Sequence, residues 1–198
     1  MKYRSFGRMT NPMKPTICGY LALLAIAACS GAKDPKPPSS NTGGPIRPIN
    51  EGYSLLHQLM SDESGASRIL ILKHADAPVA DLTKQISDAC QSAKTQMENF
   101  PKTEPPVEFD VPDLPPVEQE SRDLDSSMEE KELLFSSGKT FELRLIYSQA
   151  QAMEYGEVLC KALAARETDP ARKAFLTNLD KQCSDFRDRL LGLLTIKS

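Results

Sequence analysis

"PVADLTKQISDACQSAKTQMENF", residues 78–100, decides the fold of this chain. Val79, Leu82, Ile86, Cys90, Ala93, Met97 and Phe100 recur at steps of three and four, the period that lines up one face of an α-helix. Asp76 and Pro78 suit the start of that helix, and Pro101 marks its exit. An amphipathic helix of this length buries its apolar stripe only against other elements, so partners of the same kind must exist elsewhere.

Two such partners follow. Phe141, Leu145, Gln149, Ala152, Gly156, Leu159 and Leu163 form a second long stripe, which ends at the break "ETDP", residues 167–170. Thr168 or Asp169 can cap the next helix, with Pro170 at its first position. That helix carries Leu176, Leu179, Cys183, Phe186, Leu190 and Leu193 on one face, with Lys181, Asp185 and Asp188 on the other. Nearer the N-terminus, Tyr53, Leu56 and Met60 suggest a helix broken near Gly65. The run Ile69-Leu70-Ile71-Leu72 fits either helix or buried strand, and helix is chosen because no partner strand with period-two alternation occurs. The expected fold is all-α, an antiparallel four-helix bundle over residues 51–196.

Between the second and third long helices lies "KTEPPVEFDVPDLPPVEQESRDLDSSMEE", residues 102–130. Its prolines exclude a regular element from the first half. From Glu104 to Glu130 there are ten acidic residues against the single Arg122. The segment is expected to be an acidic, Pro-rich crossover over 102–125 that enters the acidic N-terminus of a helix, where carboxylates oppose the helix dipole favourably. A calcium loop would need oxygen ligands at alternate positions and a turn glycine, and this stretch has no glycine.

The leader gives an address. "LALLAIAACSGAKD", residues 21–34, ends an apolar run of about a dozen residues, too short for a membrane span of roughly 20. Lys2, Arg4, Arg8 and Lys14 precede it and small residues follow, the pattern of a secretory signal over residues 1–28. Met13-Lys14-Pro15 would begin a signal of ordinary proportions, so translation from Met1 or from Met13 leaves the same mature chain. Ile26-Ala27-Ala28-Cys29 resembles the lipobox of bacterial lipoproteins, which implies cleavage before Cys29, lipid attachment to it, and a membrane-anchored protein of the cell envelope. Ser30 in place of Asp favours the outer membrane by the same resemblance. Two or more acyl chains suffice for stable anchoring. Residues 29–50, rich in Pro, Gly and Ser, are expected to be a flexible tether. Removing 28 of the 198 residues takes the formal charge from -3 to about -7, which argues against nucleic acid, or lipid bound through a polybasic cluster, as a partner.

Leu114-Pro115, Ser137-Gly138 with Phe141, "QAQAMEYGEVL" (149–159) and "DPARKAFLTNL" (169–179) resemble a bacterial family of secreted ferritin-like bundles of unassigned function. The similarity covers about the last 90 residues. Members often carry histidines in the second and third long helices, where this chain has Ala89 and Met153 or Glu154. A ferritin-type di-iron site takes a Glu from each of two helices and Glu-x-x-His from two others. Neither His57 nor His74 has a Glu three residues before it, so no metal cofactor is expected. Glu142, Glu154 and His57 are the weaker metal-ligand candidates.

No nucleophile elbow, phosphate loop or Cys-x-x-Cys occurs, and no enzymatic activity is expected. Cys90, Cys160 and Cys183 lie on apolar stripes, as small buried side chains or with one pair among them joined as a disulfide. Cys160 and Cys183 sit at unequal distances from the bend, an axial mismatch of about 10 Å, whereas a bridge reaches about 7 Å between Cα atoms. Cys90 with either remains open. Two functions survive: a non-catalytic helical binding or structural module for an unidentified envelope protein, and a ferritin-like metal-binding or redox protein with a divergent site.

Overall fold

A computed structural model describes residues 47–103, 105–109 and 115–197. Cys29, the leader and the tether up to residue 46 lie outside the described residues. Among those described, the chain is all-helical and contains no strand. Its helices are α1 (Arg47–Glu63), the short α2 (Ile69–Leu72), α3 (Ala77–Met97), α4 (Pro116–Phe135), α5 (Gly138–Ala164) and α6 (Pro170–Lys197). Single 3₁₀ turns occupy Ala66–Arg68 and Phe100–Lys102.

The apolar periodicity carries through to packing. Every residue of the 79–100 stripe is buried, as are Phe141, Leu145, Gln149, Ala152, Gly156 and Leu163 on α5. On α6, Leu176, Leu179, Cys183, Phe186 and Leu190 are buried while Lys181, Asp185 and Asp188 are exposed. Each large side chain taken fully out of water contributes about 1.5–3 kcal/mol. The register follows from specific pairs. On α5 and α6, Glu157 meets Arg187 and Lys161 meets Asp180, so these two helices run antiparallel. On α1 and α3, the Glu63 carbonyl accepts from the Ser87 hydroxyl while His57 faces Glu98. Gln149 of α5 reaches Glu63 of α1, and Arg189 of α6 reaches Gln85 of α3.

Two boundaries differ from the sequence reading. The first helix begins at Arg47, inside the segment read as tether, because Ile49 already packs on the core. Helix α4 begins at Pro116, well inside the segment read as crossover to 125. Pro115 and Pro116 sit at its very start, where a missing N–H costs nothing, and the acidic residues behind them suit a helix N-terminus. The short α2 is a helix, but it buries Ile69 and leaves Ile71 and Leu72 exposed.

Local chemistry sets the joints. Asp169 rather than Thr168 caps α6: its Oδ1 accepts the Arg172 N–H at 2.7 Å. Gly138 opens α5 with φ +54°, a left-handed conformation that costs a side-chain-bearing residue about 1 kcal/mol.

Candidate functional site

One end of the molecule is closed by a buried polar cluster. It joins α1, the turn after α3, and the bend between α5 and α6. Arg172 donates to Glu167 through Nε at 2.9 Å and Nη2 at 3.1 Å. Its Nη1 donates to Thr103 Oγ1 at 2.9 Å and to the Pro105 carbonyl at 2.7 Å. Glu167 also accepts the Tyr53 hydroxyl at 2.6 Å and the N–H groups of Thr168 and Asp169 at 2.9 and 2.8 Å. Burial pushes the Glu167 carboxyl up, but the Arg172, Tyr53 and Asp169 hydrogen bonds outweigh it and hold the group at about 2. Burial, reinforced by the neighbouring carboxylate, pushes the Tyr53 phenol well above its usual range. Phe100 bridges the cluster to α6, edge-on to Tyr53 at 5.7 Å and to Phe175 at 5.3 Å. Every charge here is met by an internal partner, which makes the cluster a lock between elements.

A second buried carboxyl is different. Glu63, the last residue of α1, is fully buried and accepts a hydrogen bond from Gln149 Nε2. Its Oε1 and the Oε1 of Gln149 have no hydrogen-bond partner. Burial raises Glu63 to about 8, against the pull of the Gln149 amide, and Asp62 and Glu129 raise it further. A carboxyl in this setting is held neutral at pH 7. Cys90 and Cys183 lie close enough for Glu63 to raise both thiols, though burial is the larger cause for each.

Cys90, Cys160 and Cys183 are free and buried, so the structure holds no disulfide among the described residues. Burial pushes the Cys183 thiol up to about 12 and the other two well above the ordinary cysteine value. They are packing residues in the hydrophobic core.

The weaker metal-ligand candidates do not come together. Glu142 is buried and accepts the Asp76 N–H, holding the start of α3. Glu154 is exposed on α5. His57 stacks on Phe109 at 4.6 Å and faces Glu98 at 3.8 Å. Burial lowers its pKa despite that carboxylate. His74 is an exposed linker residue. Among the described residues, no three His, Cys, Asp or Glu side chains converge at metal-binding distance.

The surface offers a groove of about 530 Å³ between α3 and α6. Asp88, Ala89, Ser92, Ala93 and Gln96 form one wall and Asn178 and Gln182 the other, with Phe175 and Leu179 contributing apolar surface. The small residues on α3 leave the space between the two helices unfilled.

Sequence reasoning placed Tyr53 on an apolar stripe but missed Glu63, Glu167 and Arg172 as interior polar residues. A signal was available. Glu63 is three residues beyond Met60 and Arg172 four before Leu176, both in phase with an apolar stripe. No protein-family model, no curated protein and no solved structure matches the chain.

Proposed function

We propose that this chain is a bacterial envelope lipoprotein, anchored by acyl chains on Cys29 and favouring the outer membrane. Its helical domain serves as a non-catalytic binding or structural module for an envelope protein. The lipobox-like "IAAC", residues 26–29, supports the anchor, and no helix among the described residues is long and apolar enough to cross a membrane. The finer fold proposed is an antiparallel, ferritin-like four-helix bundle of α1, α3, α5 and α6. Its support is the register: α1 runs counter to α3 and α5, α6 runs counter to both, and the long link through α4 joins the two parallel helices.

The observation that carries the binding reading is the α3–α6 groove, where Asp88, Ser92 and the amides of Gln96, Asn178 and Gln182 can hydrogen-bond an inserted segment beside the apolar surface of Phe175 and Leu179. The carboxylates that face inward on α5 and beyond it are already engaged, Glu157 with Arg187 and Lys161, and Glu167 with Arg172. Photo-crosslinking from Gln96 and Gln182 in intact cells tests it. Recovery of one envelope protein from both positions supports the reading, and recovery of none overturns it. The anchor is tested separately: Cys29→Ala protein should stay unprocessed and lose its acyl mass.

The ferritin-like metal-binding or redox alternative draws on the unpartnered oxygens of Glu63 and Gln149 at the bundle centre. Stoichiometric iron, manganese or zinc in protein purified without chelators would favour it.

A further inference from the structure

The two ends of the bundle differ in chemistry. The end that holds Glu167 and Arg172 is locked by internal hydrogen bonds. The opposite end, where α2 lies, α3 and α5 begin and α4 finishes, exposes apolar side chains beside cations. Ile71 is 83 % exposed and Leu72 70 %, adjacent on the four-residue α2. Lys73 Nζ donates to the Ser136 carbonyl at 3.1 Å, which brings Phe135, 87 % exposed, to the same end.

A concavity of about 550 Å³ opens beside Ile71 and Leu72. Arg68, Lys73, His74 and Lys84 line it, and no carboxylate does. None of Arg68, Lys73 and Lys84 has a carboxylate within ion-pair distance among the described residues. In a chain of net negative charge this is a local inversion. Branched apolar side chains standing out of a rim of unneutralised cations match the anionic interface of a phospholipid bilayer, which takes apolar groups below the headgroups and attracts Lys and Arg at their level.

We propose that this end of the bundle is a membrane-contact surface that docks on an anionic phospholipid bilayer through Ile71, Leu72 and Phe135, with Arg68, Lys73 and Lys84 on the headgroups. The inference rests on the lipid-anchored reading for bringing the domain beside a bilayer. The covalent reach is sufficient. Eighteen residue steps separate Cys29 from Arg47, at most about 60 Å of chain. Helix α6, the longest at 28 residues, spans about 42 Å. The anchor can therefore lie in the same bilayer that the far end of the bundle touches.

The chain contains no tryptophan, so one introduced residue reports without background. Leu72→Trp protein, taken from membranes in detergent, is reconstituted into phosphatidylcholine vesicles carrying brominated acyl chains, with and without phosphatidylglycerol. Val158→Trp, at an exposed position on α5 about 30 Å along the helix from Gly138, is the control. Both sites are exposed, and circular dichroism confirms that the variants fold.

The expected result is blue-shifted emission and severalfold stronger quenching for Leu72→Trp than for Val158→Trp in phosphatidylglycerol vesicles. Adding Arg68→Glu and Lys84→Glu, or raising salt to about 1 M, where screening acts within about 3 Å, should remove most of that difference. Equal quenching at the two positions, or solvent-exposed emission from both, overturns the proposal. So does shielded emission from the Leu72→Trp protein without vesicles together with a doubled mass, which would assign the face to a second copy of the chain. The mass of the N-terminal peptide from the same sample separates the two readings. An unacylated peptide with a quenched Leu72→Trp refutes the anchor and keeps the surface, and the reverse refutes the surface.

Discussion

Arg172 lies along the Glu167 carboxylate in a two-pronged contact, Nε to Oε2 at 2.9 Å and Nη2 to Oε1 at 3.1 Å. Both side chains are almost wholly buried, at 4 % and 2 % exposure. Removing one partner strands a charge, which typically costs about 3–5 kcal/mol, whereas replacing both with apolar residues costs far less. Arg172→Met should therefore destabilise more than the double variant Arg172→Met with Glu167→Leu. Urea unfolding of the three proteins decides it, and a double variant worse than the single would refute the pair as a coupled unit.

The same pair fixes an acid limb. Glu167 titrates at about 2 when folded against an ordinary value of 4.5. Its contribution is complete above about pH 4.5 and is lost as pH falls toward 2. The shift corresponds to about 3 kcal/mol. Glu167→Gln should flatten the fall in melting temperature between pH 5 and pH 3, and a limb unchanged in the variant would assign it to other groups.

Glu63 works in the opposite direction. Its folded value of about 8 lies above the ordinary 4.5. Between these, the folded state keeps a proton that the unfolded state has lost, so stability falls as pH rises and levels off above about 8. Glu63→Gln keeps the size and polarity of the group and removes the titration. It should melt close to the parent at pH 5 and higher at pH 8.5, by a difference on the order of a few kcal/mol. Melting curves that stay parallel across that range would refute the assignment.

These two carboxyls show what the sequence made legible. The α3, α5 and α6 stripes were readable because apolar side chains at steps of three and four have few other uses, and all three helices follow them. Glu63 sits in phase with the α1 stripe and Arg172 with that of α6, but a charged residue there reads as an interruption until its partner is known. Gln149 is 86 residues from Glu63 and Tyr53 is 114 from Glu167, and periodicity carries no information about such pairs. Helix α4 was half hidden because its first residues are prolines, which exclude a helix interior but suit its first turn. The groove between α3 and α6 was illegible for another reason: Ala89, Ser92 and Asn178 are unremarkable singly, and only the spacing of two helices makes a surface of them.

The thiols give a check on core packing and on the leader together. Cys90, Cys160 and Cys183 are buried and held protonated at neutral pH, whereas the reactive species is the thiolate. None of the three should react with an aromatic disulfide reagent in the native protein, and all three should react in denaturant. The full chain has five cysteines. Loss of Cys18 with the leader and acylation of Cys29 leave a denatured count of three, and a count of four or five would refute the processing proposed for the N-terminus.

Gly156 marks a close approach of α5 to two neighbouring helices. A Cβ at this position would lie 3.1 Å from Cys183 Sγ and 3.3 Å from Leu59 Cδ2, so the backbone packs against α6 and α1 at once. Alanine brings two opposed effects, a gain of about 1 kcal/mol in helix propensity and a contact that must give by a few tenths of an ångström. Gly156→Ala should be close to neutral. Leucine adds three more carbons with nowhere to go, and overpacking of this kind costs about 1–3 kcal/mol. With about 2–4 °C in melting temperature per kcal/mol for a domain of this size, Gly156→Leu should melt several degrees below the parent. Because the contact joins three helices, the loss should show as weaker protection from hydrogen exchange in α1 as well as in α5 and α6. Loss confined to α5 would mean that the three helices do not meet at this position as tightly as the Cβ distances require.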